Sequence, residues 1–331
     1  MLFDAEDMDR IVVLAGGTGS VKLARAFYRL RMDKNNSNNS NDNDNSKMYD
    51  IHLSIVCNVG DNIWMHGLYI CPDLDTIMYG LAGILDRKRG WGLIDDTFNC
   101  LTQLSRLGGE HWFMLGDKDI ATHIIRSMML REGKRLCEVT GHLCSKLGID
   151  ARIIPASDDH VETRIITDSG DMHIQEFWVK HKGMLDVKGI VYKGIDDAKA
   201  CNDALDAIED ADKIVIAPGN PVSSILPILS LRGLRDAMRR ARDRCTAVSP
   251  IIGNDPVSGP AAKYMRAIGY DISPVSVAEM YRDVASKLVI HETDLAYMDA
   301  IRAKGIDVYA TDIIMDDEHD ETRLASYLLR L

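Results

Sequence analysis

The sequence predicts an α/β protein: a parallel sheet flanked by helices, with a small antiparallel β addition at about 151–193. Three observations predict it. Short apolar runs at 11–15, 51–57, 213–217 and 246–252 alternate with helical periodicities, the pattern of a parallel sheet covered on both faces. A glycine cluster, AGGTGS at 15–20, stands between the first apolar run and the first helical pattern, as a tight strand-to-helix turn requires. The rhythm then breaks once. RIIP (152–155), ETRIITD (162–168) and MHIQEFWVK (172–180) are strand-like, and Ser169 with Gly170 joins the latter two as a hairpin.

In chain order, helical patterns fall at 21–31, 76–86, 98–107, 120–132, 134–147, 197–209, 226–241, 260–267 and 276–286, so 86–150 is mainly helical. Residues 33–46, DKNNSNNSNDNDNS, hold no apolar side chain. Such a stretch cannot offset its ordering entropy by burial, so it is expected to be a disordered loop insertion. The 331 residues otherwise suit one α/β domain spanning 1–331.

Composition excludes several function classes. The net charge of −11 offers no general attraction for nucleic acid or an anionic membrane. No run approaches eighteen apolar residues, so no membrane span is expected. The acidic MLFDAEDMDR lacks the apolar core of a signal peptide, so a cytoplasmic location is expected. Seven cysteines stand at 57, 71, 100, 137, 144, 201 and 245 with no CxxC pair, which suggests reduced, buried thiols rather than a zinc ribbon or redox dithiol.

Four polar or glycine-rich loops directly follow strand runs: AGGTGS (15–20), NVGDN (58–62), PGNPVSS (218–224) and SPIIGNDPVSGP (249–260). In a parallel sheet these share one edge, the edge where ligands of open α/β sheets bind. The first is no dinucleotide fingerprint, because Gly17-Thr18-Gly19 lacks the third glycine and Cys57-Asn58 replaces the ribose acid. It is no Walker loop either. It remains an anion site at a helix N-terminus, with Lys22 one turn inside, or a plain tight turn.

In CPDLDTIMYGLAGIL (71–85), either Asp73 or Asp75 can cap a helix from Thr76. Together with Asp61, they would gather three carboxylates, a charge that Mg²⁺ would relieve. In LGDKDIATHIIRSMML (115–130), Asp117 or Asp119 can cap a helix whose apolar face holds Ile120, Ile124, Ile125 and Met128. His123 and Arg126 share another face, solvated or phosphate-facing. Asn220, Ser223 and Ser224 offer donors or a cap at a further helix start. DRKRGWG (86–92) is a small basic cluster that reads as a solvated turn.

AGGTGSVKL, NVGDNIWMHGLYICPDLDT, YGLAG, LGDKDIATHIIR, SDDHVETRI, IQEFWV, APGNPVSSILPIL and VSPIIGNDPVSGPAAK resemble, in order, the motifs of the 2-phospho-L-lactate transferase (CofD) family. The resemblance implies a Rossmann-like catalytic domain, usually a homodimer. It implies transfer of the phospholactyl group of lactyl-2-diphospho-5'-guanosine onto the terminal ribityl hydroxyl of 7,8-didemethyl-8-hydroxy-5-deazariboflavin (FO), giving coenzyme F420-0 and GMP with Mg²⁺; some relatives use the phosphoenolpyruvyl donor. Under it, Gly16, Gly17, Thr18, Gly19 and Lys22 would take the nucleotide phosphates, with Asn220, Ser223 and Gly253 around the nucleotide. Asp61, Asp73 and Asp75 would hold the metal, and Asp61 and Asp75 would be catalytic. FO would meet Asp75, Met114, Asp117, Trp64 and His66, with Trp91 and Trp112 as further walls. The chain departs from the family pattern at Ser20, Val21, Asn62, Cys71, Lys118, Gly219 and Ser258. A nucleotide-sugar-binding regulator of the related gluconeogenesis-factor family is the alternative; PDLDT and LGDKD favour the enzyme.

Overall fold

A computed structural model of the chain describes residues 9–32 and 50–331. The 33–46 insertion lies outside the described residues. Seven parallel strands form the main sheet: β1 (Asp9–Ala15), β2 (Ile51–Cys57), β5 (Arg152–Pro155), β9 (Lys213–Ile216), β10 (Cys245–Val248), β13 (Lys287–His291) and β14 (Asp307–Thr311). Their order is β14-β13-β10-β9-β1-β2-β5. From β1 the chain first moves one way through β2 to β5, then returns to β9 on the other side of β1 and continues outward. This doubly wound order makes the crevice between β1 and β9 the topological switch point. The strands are apolar without alternation because both faces are covered; Ile11 to Ala15 are all buried, as are Ile55 to Cys57.

Helices α1 (Gly17–Met32), α2 (Pro72–Leu81), α3 (Asn99–Arg106), α4 (Asp117–Arg131), α5 (Leu136–Lys146) and α6 (Asn202–Asp210) occupy the first two thirds of the chain. The remainder carries α7 (Leu226–Leu229), α8 (Leu234–Arg240), α9 (Ala261–Ala267), α10 (Pro274–Tyr281), α11 (Met298–Arg302) and α12 (Glu318–Leu329). The helix expected at 226–241 is two pieces, because Gly233 adopts φ 91° at the start of α8. The C-terminal helix α12 packs on α1 through an ionic triad centred on buried Glu321, which accepts from buried Arg25 and, at 2.8 Å, from half-buried Arg29. None of the helices among the described residues is long and apolar enough to cross a membrane.

The predicted 151–193 addition is real but smaller. RIIP is not part of it: β5 runs parallel to β2 at the edge of the main sheet. The antiparallel sheet consists of β6 (Glu162–Thr167), β7 (Gly170–His173) and β8 (Gly189–Lys193), with β6 central. MHIQEFWVK is strand only to His173; residues 176–180 form a wide helical turn in which the His181 amide reaches back to Glu176 O. Two further hairpins, β3 (Ile63–Met65) with β4 (Leu68–Ile70), and β11 (Ile251–Ile252) with β12 (Asp255–Pro256), decorate the loops after β2 and β10.

Candidate active site

The loops after β1 and β9 meet at the switch point in backbone contact. A Cβ on Gly19 would lie 2.5 Å from Pro218 O, and one on Gly16 would lie 2.7 Å from Ser224 Cβ. Glycine is therefore required here for close approach, and at Gly17 for φ 74°. α1 begins immediately, so its first-turn amides lack intrahelical partners and face the crevice. Across the gap, Asn220 Oδ1 accepts from the amides of Val222 and Ser223, which fixes the second loop.

Two acids stand at this junction. Asp73 Oδ1 accepts the Gly17 amide at 2.8 Å, which ties α2 to the glycine turn. Asn58 Nδ2 bridges Asp73 Oδ2 and Asp61 Oδ1, each at 2.9 Å, and Gln175 Nε2 donates to Asp61 Oδ2 at 3.2 Å. Desolvation raises both carboxyls above the ordinary range, and the Asp73 charge raises Asp61 further. Among the described residues no cationic side chain pairs with either. Two close carboxylates without a cationic partner are a donor set that fits a hard divalent cation.

The junction opens into a cavity of about 600 Å³. Its walls come from the loops after β1, β2, β9, β10 and β14, together with Arg89, Trp91, Gln175 and Trp178. Of the residues singled out in the sequence, Gly17, Thr18, Gly19, Lys22, Asp61, Asp73, Asn220 and Ser223 line it. Lys22 Nζ also donates to Met315 O at 2.6 Å, which holds the segment before α12 against the cavity. Arg89 was hidden in a cluster read as a solvated turn. Its guanidinium stacks 4.9 Å from the Phe98 ring and 5.7 Å from Trp91, so it is the cation that sequence reasoning missed. Trp178 was missed because it sat in an expected strand.

Other predicted residues lie elsewhere. α2 starts at Pro72, not Thr76, and neither aspartate caps it by side chain. Asp75 does not join Asp61 and Asp73. It is buried beneath the rim, bound by Arg126 through both oxygens, with Nη1 to Oδ2 at 3.1 Å. Arg126 Nη1 also donates to His123 Nδ1 at 3.1 Å, and His123 Nε2 lies 3.3 Å from Asp119 Oδ1. Burial alone would raise the Asp119 carboxyl, but His123, Tyr79 and Arg126 hold it below the usual range. The His123 and Arg126 face of α4 is thus the buried one; of the expected apolar face Ile120 packs inward, but Ile124 (42%), Ile125 (41%) and Met128 (50%) are exposed.

Asp117 caps α3 rather than its own helix, accepting from Thr97 Oγ1 and the amides of Asn99 and Cys100, which lowers its carboxyl to about 2. Asp96 in turn accepts the Lys118 and Asp119 amides at the start of α4. Gly253 is outside the cavity wall, its amide held by Asp294, although Ser249, Pro250, Val257 and Ser258 of the same loop are within it. Trp64 packs on Tyr69 at 4.9 Å in the β3–β4 hairpin, His66 sits at its tip with φ 52°, and Trp112 packs on Phe113. None of these, nor the exposed Met114, lines the cavity.

The profile of the family described as 2-phospho-L-lactate transferase CofD matches residues 11–324. A 2-phospho-L-lactate transferase of Methanosarcina acetivorans is 39% identical over 97% of this chain and 98% of its own. One from Methanopyrus kandleri is 38% identical over 97% of each chain. A phosphoenolpyruvate transferase of Mycobacterium tuberculosis is 37% identical over 92% of this chain and 94% of its own. Among solved structures, a Bacillus halodurans protein of the upf0052 family superposes with a TM-score of 0.63 at 14% identity, covering 97% of this chain and 99% of that one, a likeness of fold.

Proposed function

Because the chain belongs to the 2-phospho-L-lactate transferase CofD family, we propose that it moves the phospholactyl group of lactyl-2-diphospho-5'-guanosine to the terminal ribityl hydroxyl of FO, giving coenzyme F420-0 and GMP, with Mg²⁺ as cofactor. The observation that best supports this is the Asp61–Asp73 pair, bridged by Asn58 beside the first turn of α1. In this reading Asp61 and Asp73 would hold Mg²⁺, which would supply neutralisation of the diphosphate charge. The amides of Thr18 and Gly19, with Lys22 and Arg89, take the remaining phosphate charge. Asn220, Ser223 and the 249–260 loop surround the nucleoside, and Trp91 and Trp178 offer flat apolar walls to the deazaflavin.

The ribityl oxygen forms a bond to the phosphorus that bears lactate, the bridging P–O bond to GMP breaks, and the hydroxyl proton passes to water. Positioning and charge neutralisation supply most of the acceleration in such transfers. Asp75 then acts at a distance: its pairing with Arg126 anchors the first turn of α2, which carries Asp73.

The test is incubation of the chain with FO, Mg²⁺ and either the lactyl or the phosphoenolpyruvyl donor, followed by chromatography. GMP and an anionic deazaflavin are expected with one of the two donors. The mycobacterial relative's name is the reason to include the second. Absence of product with both would overturn the proposal. The proposal extends to a homodimer in the cytoplasm, and sedimentation at micromolar concentration tests the assembly.

A further inference from the structure

Outside the cavity, α5 and α6 bring two thiols and a carboxylate together. Cys137 is in the first turn of α5, Cys201 is the residue that precedes α6, and Asp203 is in the first turn of α6. Cys137 Sγ lies 3.2 Å from Asp203 Oδ2, and Cys201 Sγ lies 3.7 Å from the same oxygen. All three atoms are within 4.8 Å of one another. For a tetrahedral ion with metal–sulfur and metal–oxygen bonds of about 2.3 and 2.0 Å, sulfur and oxygen ligands stand about 3.5 Å apart. The two observed separations bracket that value before any ion has drawn the ligands in.

The surroundings suit a cation. Asp203 Oδ1 is oriented by Arg152 at 2.9 Å, which leaves Oδ2 for the thiols. Asp158 accepts the Cys137 amide at 2.8 Å and lies 3.5 Å from Arg135. With both thiols ionised, four anionic groups face two arginines, an excess that one divalent ion cancels. Both sulfurs sit at helix N-termini, which favour thiolate. Cys201 is buried, whereas Cys137 is half-buried and the Asp203 side chain is 38% exposed, so one side stays open for entry and for a fourth ligand.

We infer that Cys137, Cys201 and Asp203 form a site for a thiophilic divalent cation such as Zn²⁺ or Cd²⁺, with water as the fourth ligand. A bound ion would clamp α5, which packs on the edge strand β5, to α6, which covers the sheet on the return to β9.

The experiment titrates Cd²⁺ into the reduced, chelator-treated full chain and follows the ultraviolet sulfur-to-cadmium charge-transfer band. Saturation at one equivalent is expected, along with a higher thermal midpoint in Zn²⁺. Cys137→Ser and Cys201→Ser should each remove the band, Asp203→Asn should weaken binding at least tenfold, and Cys100→Ser, at an exposed thiol, should change neither readout. The wild-type titration stands alone if a serine variant fails to fold. No band at one equivalent, a band that survives both serine variants, or a Cys137–Cys201 disulfide in place of metal uptake would overturn the inference.

Discussion

Gly19 decides how closely the loops after β1 and β9 can approach. Its missing side chain leaves room for Pro218 O, and the Gly17 amide two residues before it holds Asp73. Gly19→Ala forces that carbonyl away and should cost about 1–3 kcal/mol of stability. Its diagnostic effect should be a rise in donor KM larger than the fall in kcat, read by steady-state GMP release; an unchanged KM would contradict the role given to this turn. His173 makes a second residue-scale prediction. Its Nδ1 accepts the Gln175 amide and its Nε2 donates to Asn62 O, both at 3.1 Å, so the ring must be neutral. Burial lowers its pKa below the ordinary value, Glu162 opposes that, and Arg164 and His160 add to it. The unfolded chain then binds the proton more readily, so stability should fall as pH drops from about 7 towards 5 and level off below the folded value. Urea midpoints across that range check this, and His173→Asn should flatten the profile. At this scale the sequence exposed the glycines and Asp61, Asp73, Asn220 and Ser223 through loop position. It could not separate Asp73 from Asp75, because Arg126, which claims Asp75, is remote in sequence.

Helix α4 shows why periodicity can mislead at the scale of an element. Its apolar residues suggest an inward face of Ile120, Ile124, Ile125 and Met128, yet of these only Ile120 packs inward, and the buried residues are Asp119, His123, Arg126 and Ser127. Arg126 must be inward to neutralise Asp75 in the first turn of α2, and its donors also reach Tyr69 O. A charged pair overrides the apolar pattern because one charge buried without its partner costs several kcal/mol. Asp75→Asn should therefore destabilise the chain by about 3–5 kcal/mol, measured by urea unfolding, and lower activity through the displaced α2. Asp75→Asn with Arg126→Met should recover much of that loss. A stable Asp75→Asn protein with no activity would instead make Asp75 a direct participant in the chemistry. Strand β5 was assigned to the wrong sheet for a related reason: RIIP gives its strand character locally, but only its register with β2 sets its partner.

For the whole molecule, alternation of apolar runs and helices revealed the parallel sheet and placed four ligand loops on one edge. The sequence did not reveal β13, β14 and α12, whose short patterns acquire meaning only when β10 and α1 supply partners. Nor did it show that α12 closes the fold through Glu321, or that the segment before it reaches the cavity through Met315. The switch point between β1 and β9 follows from strand order, and strand order is a tertiary property. The proposed transfer requires this crevice to hold a metal-bound diphosphate between Asp61, Asp73 and the first turn of α1. The most direct measurement is anomalous diffraction from crystals grown with donor and Mn²⁺ in place of Mg²⁺. A single manganese peak within bonding distance of both Asp61 and Asp73, with the diphosphate on the Thr18 and Gly19 amides, is the predicted result. Manganese bound at Asp75, or a diphosphate away from the glycine turn, would contradict it.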